Sequence, residues 1–176
     1  MLKKLFLVAS VMSLAISGTV YARDINEFNY VKNLSVESEL LPESENTSIG
    51  YLQGNERSSA LAGALAEITN EGNGVIGVYA ETTMHTPVDW AYITIYLERW
   101  YEEYGTWQIE ETLEKEFLPE NETDGLLTNA VLFDDIEGQP TGYYYRVRAI
   151  HELEFDDGWY EAKVTKTDGI LITSEP

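Results

Sequence analysis

The residues best suited to chemistry lie in one stretch, Thr141 to Phe155, TGYYYRVRAIHELEF, which brings three tyrosines, two arginines and a histidine into fifteen residues. Catalysis, metal binding and ligand recognition are the chemistries open to such a set. His151-Glu152 begins like the zinc motif His-Glu-x-x-His, but position i+4 is Phe155, and that motif needs both imidazoles on one helix face. The other histidine, His85, stands in TTMHTP, which reads as a turn. The chain has no Gly-x-Ser-x-Gly elbow, no phosphate-cradling glycine loop and no cysteine nucleophile. No catalytic residue and no metal ligand set is assigned, which leaves recognition.

Alternate residues of a strand face opposite ways. Tyr143, Tyr145, Val147, Ala149, His151, Leu153 and Phe155 therefore share a face that reads as core, and Tyr144, Arg146, Arg148, Ile150, Glu152 and Glu154 share a wet one. Tyr143, at the strand entrance, is assigned the sandwich role in which a buried tyrosine hydroxyl bonds back to the preceding turn. The wet face is expected beside Tyr92, Tyr96 and Glu98 of another strand. Two readings follow. One is ordinary cross-strand Glu–Arg pairing and Arg–Tyr stacking, worth about 0.2–1 kcal/mol per pair. The other is a ligand-binding platform of Tyr92, Tyr96, Tyr144, Arg146 and Arg148.

The elements that must position these residues have a period of two. Ile76, Val78, Ala80 and Thr82 alternate through 74–83, and Ala91, Ile93, Ile95 and Leu97 alternate through VDWAYITIYLERW. Tyr104-Gly105 turns the chain into TWQIEETLEKEF, where Trp107, Ile109, Leu113 and Phe117 share a parity. Short strands follow at 128–133, in the stretch already described, in WYEAKVTKT and in ILIT, separated by Gly-containing turns. ALAGALAEITNEGNG is ambiguous. Leu61, Leu65 and Ile68 suit a helix face, yet the strong turn at 70–74 and the β-run after it favour a strand. Seven or eight short strands with no long helix predict an all-β, antiparallel Ig/fibronectin III-like sandwich.

Domain organisation is read as three parts. Residues 1–22 have two lysines, an apolar run and a Val20-x-Ala22 ending, the pattern of a cleaved signal peptide, with a run too short to span a membrane. Residues 23–59 are rich in Glu, Ser and Asn and read as an acidic, loosely attached leader that Tyr51 and Leu52 pin in part. Residues 60–176 form the sandwich. Secretion to the exterior or the cell surface is expected, with no membrane association after cleavage.

Beyond residue 22 the chain has nine basic and thirty-one acidic residues, a formal charge of −22. Such a surface repels nucleic acid and anionic lipid. The charge reads as solubility outside the cell, with calcium or a cationic partner as the sharper reading. A monomer whose partner is an extracellular polymer or protein is expected. No cofactor is expected except calcium, for which the acidic turns at 120–124, 134–137 and 156–157 leave room. The ENETDG loop is not an EF-hand, since its twelfth position is Val131. Trp100, Tyr101, Tyr104 and Trp107 gather at one hairpin end, either as cross-strand packing or as sugar-stacking rings.

The segments GNGVIGVYAETT, VDWAYITIYLERW, GYYYRVRAIHE and TDGILI resemble an uncharacterised family of small secreted proteins of Gram-positive anaerobes, over residues 64–172 and most specifically at 142–151. More distantly, Tyr143-x-Tyr145-x-Val147-x-Ala149 is similar to the penultimate strand of fibronectin type III domains. The resemblance implies a seven-stranded sandwich and export, and carries over no catalytic residue. The expected function is a non-enzymatic binding or envelope-associated module. The alternative is a glycan-acting hydrolase or carbohydrate-binding module using surface aromatics and acids, with Glu110 or Glu114 beside the aromatic hairpin.

Overall fold

A computed structural model describes residues 38–52 and 60–176; the signal-peptide reading of 1–22 falls outside them, as do residues 23–37 and 53–59 of the leader. The described chain is built of antiparallel strands in two packed sheets, an all-β sandwich. One sheet has the order β1 (Thr47–Tyr51), β2 (Leu61–Gly72), β3 (Val75–Val88), β6 (Leu127–Ile136). The other has β5 (Thr106–Phe117), β4 (Trp90–Tyr101), β7 (Tyr143–Glu154), β8 (Tyr160–Lys166), with β9 (Ile170–Ile172) pairing the start of β7.

The ambiguous Ala/Leu segment is a strand. Ala64, Ala66 and Ile68 face inward at every second position, and the two-residue turn Asn73-Gly74 has positive φ at both residues (55° and 75°), as a tight hairpin with the right twist requires. Helix propensity is outweighed because a single helix face could not bury that alternating set against β3. TTMHTP is no turn, contrary to the sequence reading: β3 runs through it, with Met84 buried and His85 exposed at the surface.

Between the sheets lie Ile68, Ile76, Ile93, Ile95, Leu97, Val147, Leu153 and Ile170, all at most 0 % exposed. Each such side chain contributes about 1.5–3 kcal/mol of burial. Asp89 alone separates β3 from β4 where the chain changes sheets, and its carboxylate accepts the Asp156 amide at 2.7 Å, tying that crossing to the β7–β8 turn.

Part of the stretch read as leader is built into the sandwich. β1 extends the first sheet beyond β2, and Leu41 and Leu52 pack on the core, whereas Tyr51 points to solvent. Ser38 to Leu41 run parallel to 167–169, with Gly169 N donating to Glu39 O and Leu41 N to Gly169 O, both at 2.8 Å. Polar composition hid this because the segment is held by backbone pairing, which any side chain permits. The sheets close where β1 crosses β8: a Cβ on Gly50 would stand 1.9 Å from the Lys166 carbonyl oxygen, so only glycine fits there.

Candidate functional site

The outer face of the five-stranded sheet collects the residues singled out from the sequence. On β4, Trp90, Tyr92, Thr94, Tyr96, Glu98 and Trp100 point outward, as their alternation with buried Ala91, Ile93, Ile95 and Leu97 dictates. Across β7, Tyr96 pairs with Arg148 and Glu98 with Arg146; across β8, Arg148 pairs with Lys166.

Glu98 is the hub. Arg146 donates from Nε to Glu98 Oε2 at 2.7 Å, and Arg148 donates from Nη2 and Nε to Oε1 at 2.7 and 2.9 Å. The Arg148 guanidinium lies over the Tyr96 ring at 4.4 Å, and that of Arg146 over Trp107 at 4.6 Å. Arg146 Nη1 also donates to Ser38 Oγ at 3.1 Å, so the segment before β1 rims the site. Lys166 places a buried ammonium beside this knot with no hydrogen-bond partner. Burial first, then the Arg146 charge, push its pKa down to about 8. Three cations surround one carboxylate here, although the chain as a whole is strongly acidic.

Of the five proposed platform residues, Tyr96, Arg146 and Arg148 come together. Tyr92 lies four residues along β4 from Tyr96, about 13 Å at the rise of a strand, and its ring stacks on Trp90 at 5.6 Å and 10°. Tyr144 is half-buried opposite Leu171 of β9, two residues along β7 from Arg146 on the same face. The face is less wet than alternation alone suggests, since Thr94, Glu98, Ile150 and Glu152 are buried in it.

Sequence reasoning missed Lys166 and Ser38, and it grouped Trp107 with Trp100 at the hairpin end without placing it beside Arg146. The parity of β8 would have supplied Lys166. The outward facing of Trp107 was hidden by a β-bulge: the register shifts between Leu97 and Glu98, so Leu113 faces the core opposite Ile95 while Ile109 stands opposite outward Glu98 and Trp107 opposite Trp100. One extra residue reverses the side-chain parity beyond it. Trp100 and Trp107 pack at 5.3 Å as a cross-strand pair.

The same bulge decides the fate of the two acids considered for hydrolysis. Glu110 turns to the other side, where it pairs with Arg99 at 3.0 Å and accepts from the Tyr101 hydroxyl at 2.7 Å. Glu114 stays opposite Thr94 on the outer side. These carboxylates are not arranged to flank one glycosidic bond. Among the described residues no three His, Asp or Glu side chains gather as metal ligands, so the acidic turns give calcium no geometric support.

Tyr143 does not fill the corner role assigned to it. It is 49 % exposed, beside the Arg99 guanidinium at 5.1 Å. Tyr145 takes that role instead, fully buried and donating its hydroxyl to Pro140 O at 3.1 Å. The parity was right; the sandwich edge begins two residues later than the strand does.

His151 bridges the sheets in the core. Its Nδ1 is 2.7 Å from Thr82 Oγ1 on β3 and its Nε2 is 2.8 Å from Thr165 Oγ1 on β8. The imidazole is neutral because burial pushes its pKa down to about 3. The unfolded chain, with an ordinary value near 6.5, takes up the proton first, so stability from this group is complete above that value and is lost as pH falls toward 3. Between pH 7 and pH 4.5 the native chain should lose about 2–3 kcal/mol more than His151→Gln in denaturant unfolding. Parallel pH profiles would remove the buried-neutral assignment.

The fold and this face define the class: an antiparallel β-sandwich with an aromatic and cationic sheet surface. No protein-family model, curated protein or solved structure matches the chain.

Proposed function

We propose that this protein is a secreted, non-catalytic binding module that takes an uncharged extracellular polysaccharide along the outer face of the five-stranded sheet. The observation that carries this reading is the line of rings on β4, Trp90, Tyr92, Tyr96 and Trp100, with Trp107 beside it. Rings on one strand face offer flat apolar surfaces to the C–H faces of successive sugars. The Arg148–Glu98–Arg146 knot and the Trp90–Glu116 hydrogen bond hold polar groups among them at fixed positions, which suits hydroxyl recognition. A polyanion is disfavoured because a net charge of this size repels it at long range. The pattern at residues 1–22 supports export.

Affinity electrophoresis through gels cast with neutral β-glucan, xylan or pectate tests the reading. Retardation is expected in a neutral gel and not in pectate, and Tyr92→Ala combined with Trp100→Ala should abolish it while leaving the melting temperature within a few degrees. Free migration in every gel, or release of reducing sugar, would refute the module as described.

A further inference from the structure

The second surface lies on the opposite sheet. Along the outer side of β1, β2, β3 and β6 the register aligns two rows: Ile49, Glu67, Tyr79, Phe133, and Tyr51, Leu65, Glu81, Val131. Ile49, Tyr51 and Phe133 are 45 %, 62 % and 71 % exposed, the last two among the most exposed large apolar side chains described. Adjacent strands stand about 4.8 Å apart, so each row spans about 14 Å.

Charge on this sheet is segregated. None of its four strands contains a lysine or arginine, while they contain Glu67, Glu71, Glu81, Asp134 and Asp135. The lysines and arginines of the described residues, Arg99, Lys115, Arg146, Arg148, Lys163 and Lys166, all belong to the other sheet. Glu81 is held in place by hydrogen bonds from Tyr79 Oη at 2.9 Å and Asn129 Nδ2 at 2.8 Å, neither of which neutralises it. Burial, and then the hydrogen bond to Glu81, raise the Tyr79 pKa to about 12, so the phenol stays a donor at any ordinary pH.

We propose that this face docks a basic polypeptide, one presenting lysine or arginine side chains between aliphatic or aromatic ones. Lysine or arginine groups meet Glu67 and Glu81, fixed at the centre of the rows, and apolar groups cover Ile49, Tyr51, Val131 and Phe133. A second copy of this chain is a poor occupant, because two such faces would set carboxylates against carboxylates. An anionic membrane is repelled for the same reason. Eight side chains form a small interface, so the contact belongs with weak, transient ones. It is independent of glycan binding on the far sheet.

The test is an amide-resolved NMR titration of the full chain with a synthetic peptide of alternating lysine and leucine, beside its glutamate–leucine counterpart. The lysine peptide should shift residues 49, 51, 65, 67, 79, 81, 131 and 133, and raising salt should weaken it. Phe133→Ser and Glu67→Gln should each weaken binding by about tenfold, as loss of an anchoring contact does. Both positions are on the surface, so folding is retained. Shifts spread over the acidic turns or the five-stranded sheet would overturn the proposal. So would equal binding of the glutamate peptide, or a concentration-dependent dimer abolished by Phe133→Ser, which would make a second copy the occupant.

Discussion

Glu98→Ala should destabilise the protein by about 3–5 kcal/mol, the usual cost of removing one partner from a buried ion network. The side chain is only 6 % exposed and accepts from two guanidinium groups that are themselves 12 % and 16 % exposed. Removing it leaves Arg146, Arg148 and Lys166 adjacent, with only the charge of Asp168, near Lys166, to oppose them. The cost therefore comes from stranded charge far more than from lost packing. Lys166→Met supplies the complementary result. Its ammonium is buried without a hydrogen-bond partner, so the replacement should be neutral or stabilising, and it should rescue part of the loss in a Glu98→Ala background. The Lys166 pKa is lowered in the fold to about 8 against an ordinary value near 10.4. The unfolded chain thus binds that proton more tightly, and stability should rise as pH climbs through this interval. Lys166→Met should flatten that rise. Denaturant unfolding of the four variants in a double-mutant cycle measures the coupling. A Glu98→Ala change under about 1 kcal/mol, with purely additive effects, would mean water already screens the knot.

What could be read from the sequence was whatever depends on local alternation. The inward sets of β3 and β4 and the face assignment along β7 are consequences of a two-residue period, and the turn at Asn73-Gly74 is a consequence of its residue types. The pairing of Arg146 and Arg148 with a glutamate of the 90–98 strand followed from placing the two best strands side by side. What stayed hidden depends on relations between strands. The bulge opposite Leu97–Glu98 carries no composition signal, yet it moves Trp107 and Ile109 outward and turns Glu110 away from Glu114. β1 was hidden because an edge strand of five residues with only two inward positions, Ser48 and Gly50, leaves almost no hydrophobic pattern. The charge segregation between the sheets was equally invisible until the strand order was known. Along the chain, acidic and basic residues interleave.

Tyr145→Ala should cost about 3–5 kcal/mol, the range for deleting a buried aromatic ring and leaving its cavity. Tyr145 is the bulkiest of the fully buried side chains and lies near the start of β7, between β4 and β9, with Arg99 and Ile170 as its register partners. Its hydroxyl closes the corner onto Pro140 O. Tyr145→Phe separates the two contributions: it keeps the ring and loses one hydrogen bond, worth about 1 kcal/mol. Pro140 is exposed, so water can replace the lost donor and keep that figure small. Tyr144→Ala is the control for direction, because its ring is only half-buried on the outer face and should cost well under the Tyr145 value. Tyr143→Ala should likewise cost little, since its ring stands at the surface against Arg99. The order Tyr145 ≫ Tyr144 and Tyr143 in chemical unfolding follows from the corner beginning at Tyr145. Were Tyr143→Ala the most damaging of the three, the corner would have to be reassigned to the strand entrance, and the register of β7 against β9 would be wrong by two residues.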